Sequence, residues 1–233
     1  MPNIKYSLLL ADADNTLFDF YAAEKAALSA TFSIYGLPCG AETAKLYTGI
    51  NEALWKAYER REITQEALRV ERFSRLLVRI DAPGLSPEDM AQKYAEQLGQ
   101  YAFLMPGALA FVKAVHEYMP IVLVTNGISA VQRSRLQKSE LFPYIAHAVI
   151  SEEIGASKPD PKMLFIAMEK MGVQDKGKVI LLGDSLTADI EAARRAGLKS
   201  IWLCGPGNKR ISSPADYQAE TLQEAQNILL VPA

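Results

Sequence analysis

From Met105 onward, short apolar runs alternate with amphipathic segments, and the strongest of these runs stop abruptly at polar residues. Ile121–Val124 leads into Thr125-Asn126-Gly127, Val179–Leu182 leads into Gly183-Asp184, and Ala146–Ile150 and Ser200–Leu203 are further strand-like runs. Between them, Pro106–Tyr118, Ser129–Ser139, Pro161–Met171 and Thr187–Ala196 carry helical spacing, and Leu222–Leu230 offers a last helix after a loop-like stretch at 208–214. Strands joined through helices by short connections admit few folds. The pattern predicts a doubly wound α/β architecture, a parallel sheet covered by helices on both faces.

One more strand belongs to this set, at the other end of the chain. Leu8–Ala11 runs directly into Asp12, Asp14 and Thr16. The stretch between it and Met105 has a different character: Tyr21–Tyr35, Ala41–Arg60, Thr64–Ile80 and Pro87–Tyr101 read as amphipathic helices broken at Gly36-Leu37-Pro38, near Glu62 and at Ala82-Pro83-Gly84. An insertion of roughly 80 residues is too long for a crossover between neighbouring strands. The expected organisation is therefore a core of residues 1–18 and 102–233 with an all-helical unit over 19–101.

Lys and Arg total 25 against 27 Asp and Glu, giving a formal charge of −2. No long basic run could follow a nucleic-acid backbone, so polymeric nucleic acid is excluded as the expected partner. The two cysteines, Cys39 and Cys204, form neither a disulfide framework nor a metal-ligand spacing, as expected in a reducing cytoplasm. The first apolar run reaches Asp12 too soon to be a secretory core or a membrane span, so a soluble, unprocessed protein is expected.

The chemistry lies where the strands end. In an open parallel sheet, ligands bind beyond the carboxyl ends of the strands, and Asp12, Thr125 and Asp184 each occupy such an end, with Asp189 in the first turn of the next helix. Asp12 and Asp14, one residue apart, concentrate negative charge that raises a proton affinity or calls for a cation. Together with Asp184 and Asp189 they make an oxygen-only ligand set suited to Mg²⁺. Lys158, just ahead of a helix that begins near Pro161, adds an ammonium; Thr125 adds a hydroxyl, and Asn126 and Gly127 add backbone N–H groups. Metal, ammonium and amides together describe a site for a phosphoryl group. His116 and His147 fall outside this set, which argues against histidine chemistry.

These residues resemble the four motifs of the haloacid dehalogenase superfamily of phosphatases: Asp12-Ala-Asp14-Asn-Thr16, then Thr125, then Lys158, then Gly183-Asp184 with Asp189, in the family's order across the chain. The resemblance implies a Rossmann-like core with a C1-type helical cap. It also implies that Asp12 attacks phosphorus while Asp14 protonates the leaving oxygen and then activates water. Thr125, Asn126 and Lys158 would hold the phosphoryl oxygens, and Mg²⁺ would be bound by the Asp12 side chain, the Asp14 backbone carbonyl, Asp184 and Asp189. Asn15 departs from the glycine commonest at that place.

Within the superfamily, Asp-Ala-Asp-x-Thr-Leu-Phe18, Asn51-Glu-Ala-Leu-Trp55, Thr125-Asn-Gly127 and Ile150-Ser-Glu-Glu-Ile-Gly155 are similar to the pyrimidine 5′-nucleotidase branch. That similarity implies nucleoside monophosphates as substrates, with Phe18 and Trp55 available to stack on a base and Asn51 to read its edge. A phosphatase or phosphomutase acting on a sugar phosphate or other small phosphometabolite is the alternative. A receiver-type phosphate sensor gathers similar residues but would not carry the helical insertion.

Overall fold

The computed structural model of the chain describes residues 4–208 and 212–230. The loop expected over 208–214 falls partly on 209–211, outside the described residues. Six strands form one parallel sheet: β1 (Leu8–Ala11), β2 (Ile121–Thr125), β3 (His147–Ile150), β4 (Val179–Gly183), β5 (Lys199–Leu203) and β6 (Tyr217–Ala219), in the order β3-β2-β1-β4-β5-β6. The chain winds outward from β1 to β3 and then restarts at β4 on the other side of β1. Leu9 accordingly pairs with Ile121 on one flank and Ile180 on the other. The switch in winding direction lies between β1 and β4, where such sheets open a crevice.

β1 is buried at all four positions because helices cover both of its faces. Alternation along the strand sends Leu9 and Ala11 into one core layer, with Ile121, Ile180 and Ile201 and with the helices α5 (Ala108–His116) and α10 (Leu222–Leu229). Leu8 and Leu10 face the other layer, with Val122, Val124 and Leu181 and with α8 (Lys162–Lys170) and α9 (Glu191–Ala196). Burial of each leucine side chain contributes about 2 kcal/mol.

Residues 1–20 with 102–233 form one compact unit and residues 21–101 a second. The second contains α1 (Phe20–Ile34, apart from its first residue), α2 (Ala41–Glu59), α3 (Gln65–Arg79) and α4 (Pro87–Leu98). Thr64 and Ser86 cap α3 and α4 by accepting from the N–H groups of Ala67 and Asp89, each at 3.1 Å. Tyr47, Phe73 and Tyr94 pack at 5.3–5.4 Å between ring centroids. The two chain segments that leave and rejoin the sheet unit lie side by side. Met105 N–H donates to the Leu17 carbonyl and Asp19 N–H to that of Phe103, both at 2.9 Å, around an antiparallel bridge between Phe18 and Leu104.

Several elements differ from the sequence expectation. β6 was not expected, α7 (Ser151–Ile154) follows β3 without an intervening loop, and α4 ends at Leu98 ahead of Gly99. The helix expected over 187–196 begins as a wide π-type turn at Leu186–Ile190, and only then becomes α9. Among the described residues no helix is long and apolar enough to cross a membrane.

Candidate active site

Asp12 follows β1 directly, and its N–H continues the sheet ladder by donating to the Leu182 carbonyl at 2.9 Å. Its carboxylate is therefore fixed at the crevice between β1 and β4, with 7% of the residue exposed. Lys158, 1% exposed, directs its ammonium there: Nζ lies 2.5 Å from Asp12 Oδ1, 2.6 Å from Asp189 Oδ1 and 2.6 Å from the Val124 carbonyl.

Two local devices bring Lys158 and Asp189 to this point. The Asn126 side chain forms a reciprocal pair with the Lys158 backbone, Nδ2 donating to its carbonyl at 2.9 Å and Oδ1 accepting from its N–H at 2.8 Å. Asn126, expected as a phosphoryl ligand, thus uses its side chain to tie the lysine loop to the end of β2. Asp189 is drawn inward by the wide turn, its Oδ2 accepting from Ser185 N–H at 3.0 Å. Gly183 permits this approach, since a Cβ there would lie 2.3 Å from Asp189 Cγ. Asp184 is held from the far side, where Trp202 Nε1 donates to its carbonyl at 2.8 Å.

Carboxylate oxygens of Asp12, Asp184 and Asp189 come within 4.8 Å of one another. Desolvation raises Asp12 to about 7 despite the opposing Lys158 charge, with Asp189 and Asp14 adding to the rise. Desolvation also pushes Asp184 well above the usual carboxylate range, reinforced by Asp12 and Asp189. Burial disfavours the Lys158 ammonium, but Asp12 and Asp189 outweigh it and raise its proton affinity. One ammonium does not neutralise three clustered acids, Asp12 and Asp189 buried and Asp184 half-buried. An all-oxygen set that still repels itself fits a hard divalent cation such as Mg²⁺.

Thr125, 3% exposed at the end of β2, accepts from Gly127 N–H at 3.1 Å. That N–H, expected to face a phosphoryl oxygen, is engaged within the loop, which leaves the threonine hydroxyl hydrogen to donate. Asp14 is placed differently from the other acids. The chain turns at Asn15, whose φ of 60° asparagine tolerates better than most residues, and the Asp14 carboxylate meets α6 (Ser129–Lys138) instead of the acid cluster. Gln132 Nε2 donates to its Oδ2 at 2.6 Å and Arg135 Nη1 to its Oδ1.

Two of the three residues expected to contact a base do not have the required exposure. Phe18, 1% exposed, belongs to the core, and the Arg135 guanidinium lies 5.0 Å from its ring centroid, so no face remains for stacking. Asn51 is 2% exposed, and both ends of its amide are engaged within the helical unit: Nδ2 donates to Glu24 Oε2 at 2.8 Å and Oδ1 accepts from Arg72 Nη1 at 3.3 Å. Trp55 is half-buried, edge-on to Tyr58 at 5.6 Å. Sequence reasoning missed Gln132 and Arg135. Their i, i+3 spacing just after the Thr125-Asn126-Gly127 strand end was the available signal.

The family model of haloacid dehalogenase-like hydrolases matches residues 6–197. The HAD-hydrolase YfnB of Bacillus subtilis is 34% identical over 97% of this chain and 96% of its own. A magnesium-bound crystal structure of YfnB superposes with a TM-score of 0.89, covering 97% of this chain and 100% of that one. Pyrimidine 5′-nucleotidase YjjG of Escherichia coli is 32% identical over 86% of this chain and 87% of its own. Pyrimidine 5′-nucleotidase PynA of Streptococcus pneumoniae is 36% identical over 84% of this chain and 83% of its own.

Proposed function

The chain belongs to the haloacid dehalogenase-like hydrolases, and from that premise we propose that it is a Mg²⁺-dependent phosphomonoesterase that hydrolyses nucleoside 5′-monophosphates, pyrimidine ones preferred, through an aspartyl-phosphate on Asp12. The carrying observation is the Asp12–Lys158–Asp189 contact at the β1/β4 crevice. It sets a nucleophilic carboxylate against the cation that offsets charge on a transferring phosphoryl group. The nucleotide preference rests on the likeness to YjjG and PynA.

In the first step an Asp12 oxygen forms a bond to phosphorus. The bond to the ester oxygen breaks, its electron pair stays on that oxygen, and Asp14 supplies the proton. In the second step Asp14 takes a proton from water as the water oxygen bonds to phosphorus, and the electron pair of the breaking P–O bond returns to Asp12. Lys158 and the Thr125 hydroxyl bind phosphoryl oxygens throughout. A cation held by Asp12, Asp184 and Asp189, with the Asp14 backbone carbonyl, would offset their charge and polarise the phosphoryl group. Residues 21–101 form the unit that selects the leaving group, because a site that grips only phosphoryl oxygens cannot distinguish alcohols. A small phosphorylated metabolite of the cytoplasm is the expected partner.

A phosphate-release screen across nucleoside monophosphates, sugar phosphates and small acyl phosphates tests this reading. The expected profile is led by pyrimidine 5′-monophosphates, abolished by EDTA and restored by Mg²⁺. A hexose or triose phosphate with kcat/KM more than tenfold above the best nucleoside monophosphate would overturn the nucleotidase reading and leave the phosphatase reading standing. Full activity after exhaustive chelation would overturn the metal requirement.

A further inference from the structure

The phosphatase reading gives Asp14 the proton transfers, yet nothing in that reading accounts for Arg135 and Gln132. Arg135 has no exposed surface, and burying a guanidinium is costly unless something specific is gained. Its Nη1 goes to Asp14 Oδ1, and the Phe18 ring lies against the guanidinium at 5.0 Å. Gln132, one helical turn earlier, takes Asp14 Oδ2 at 2.6 Å. Glycine at 127 leaves room for this placement of Gln132, since a Cβ there would lie 2.3 Å from Gln132 Nε2 and force the side chain to shift. Three separate sequence features, Phe18, Gly127 and the Gln132/Arg135 pair, thus converge on one carboxylate that is 24% exposed by side chain.

We propose that Arg135 and Gln132 are positioning residues for Asp14, holding its carboxyl group in the orientation that delivers a proton to the leaving oxygen. The inference rests on the phosphatase reading above. A carboxyl group on a short side chain rotates freely about its terminal torsion, and a general acid is effective only when its O–H is aimed. Gripping both oxygens from one helix removes that freedom. With the charged donor on Oδ1 and a neutral amide on Oδ2, Oδ2 can accept from Gln132 through one lone pair while carrying the transferred proton. In the first step that proton passes from Oδ2 to the ester oxygen as the P–O bond breaks, and in the second a water proton returns to it.

A positioning role makes a prediction that a purely structural one does not. A leaving group that departs as a stable anion needs no acid, whereas a more basic one does. The test compares p-nitrophenyl phosphate with phenyl phosphate, which are similar in shape but differ in leaving-group basicity, by kcat/KM with the Mg²⁺-loaded protein. In Arg135→Met the ratio of phenyl to p-nitrophenyl turnover should fall at least about tenfold relative to wild type, with a smaller fall in the same direction in Gln132→Leu and Gly127→Ala. Equal losses on both esters, or none, would overturn the inference. If Arg135→Met does not fold, the two milder variants decide the matter by the same ratio. A wild-type protein that releases phosphate from neither ester nor any nucleotide would instead sink the phosphatase reading, so the two failures are distinguishable.

Discussion

Each of the two units of this protein buries a group of charged and amide side chains, and the two groups are balanced differently. In the helical unit, Glu24 receives Thr48 Oγ1 at 2.6 Å and Asn51 Nδ2 at 2.8 Å, and Asn51 passes the contact on to Arg72, whose guanidinium lies 4.6 Å from the Tyr94 ring centroid. One acid faces one base through one amide. In the sheet unit, Asp12 and Asp189 share Lys158, and Asp184 adds a third carboxylate beside them. A balanced buried group serves to fix one packing arrangement, while a surplus of like charge is tolerated only where a ligand is to complete it.

The sharpest way to break this comparison is to remove one charge from each side. Asp12→Asn should reduce phosphate release at least ~10³-fold, because the amide is no nucleophile toward phosphorus. It should also raise the Tm of the metal-free protein, since it relieves repulsion. A Tm drop in that variant, or turnover within tenfold of wild type, would show that the sheet cluster is structural. Next in size, Lys158→Met should lower kcat/KM by at least ~10²-fold by removing the charge that offsets the phosphoryl group. A mild effect there would place the phosphoryl site elsewhere.

The helical unit should answer in stability instead. Arg72→Met leaves the Glu24 carboxylate and the Asn51 amide without their buried cation and should cost about 3 kcal/mol, read as a lower denaturation midpoint. An unchanged midpoint would mean that the balance drawn for this cluster is wrong. The smallest expected effect sharpens the other half of the comparison. Asp12 binds its proton more tightly in the folded chain, at about 7 against 3.8 unfolded, and Asp184 is shifted in the same direction. Stability present at low pH is therefore lost as pH rises between those values, so Tm of the chelated protein should fall from pH 5 to pH 8. A flat or rising profile over that interval would contradict the excess of buried negative charge.

Much of the fold was legible because parallel strands buried on both faces must be continuous apolar runs, and three of them, β1, β2 and β4, end at residues that enter the site, as Leu8–Ala11 does at Asp12. β6 was not legible: Tyr217–Ala219 is too short to show periodicity, and Tyr217 and Gln218 remain partly exposed. The wide turn at Leu186–Ile190 was hidden as well, because 3.6-residue spacing does not reveal an Ile190 N–H that reaches back to the Ser185 carbonyl at 3.1 Å. Within the site, acids, lysine and threonine announced themselves by type and position. Arg135 and Gln132 did not, since polar residues on a helix ordinarily read as a solvated face. Phe18 and Asn51 failed in the opposite sense, because an aromatic ring or an amide says nothing in sequence about which neighbour has already claimed it.

The bridge between Phe18 and Leu104 has a bearing on how the chain reaches its native state. Joining β1 to β2 brings Leu9 to Ile121 across the whole helical insertion, and closing so large a loop as a flexible coil would be a slow, entropically unfavourable step. The insertion is contiguous, and its helices α2, α3 and α4 pack against their sequence neighbours, so its contacts close over short stretches of chain. Once Phe18 meets Leu104, the effective separation between β1 and β2 shrinks to the residues on either side of that bridge. The linker pair thus turns a long-range search into a short one, and mutations that weaken it should slow refolding more than they accelerate unfolding.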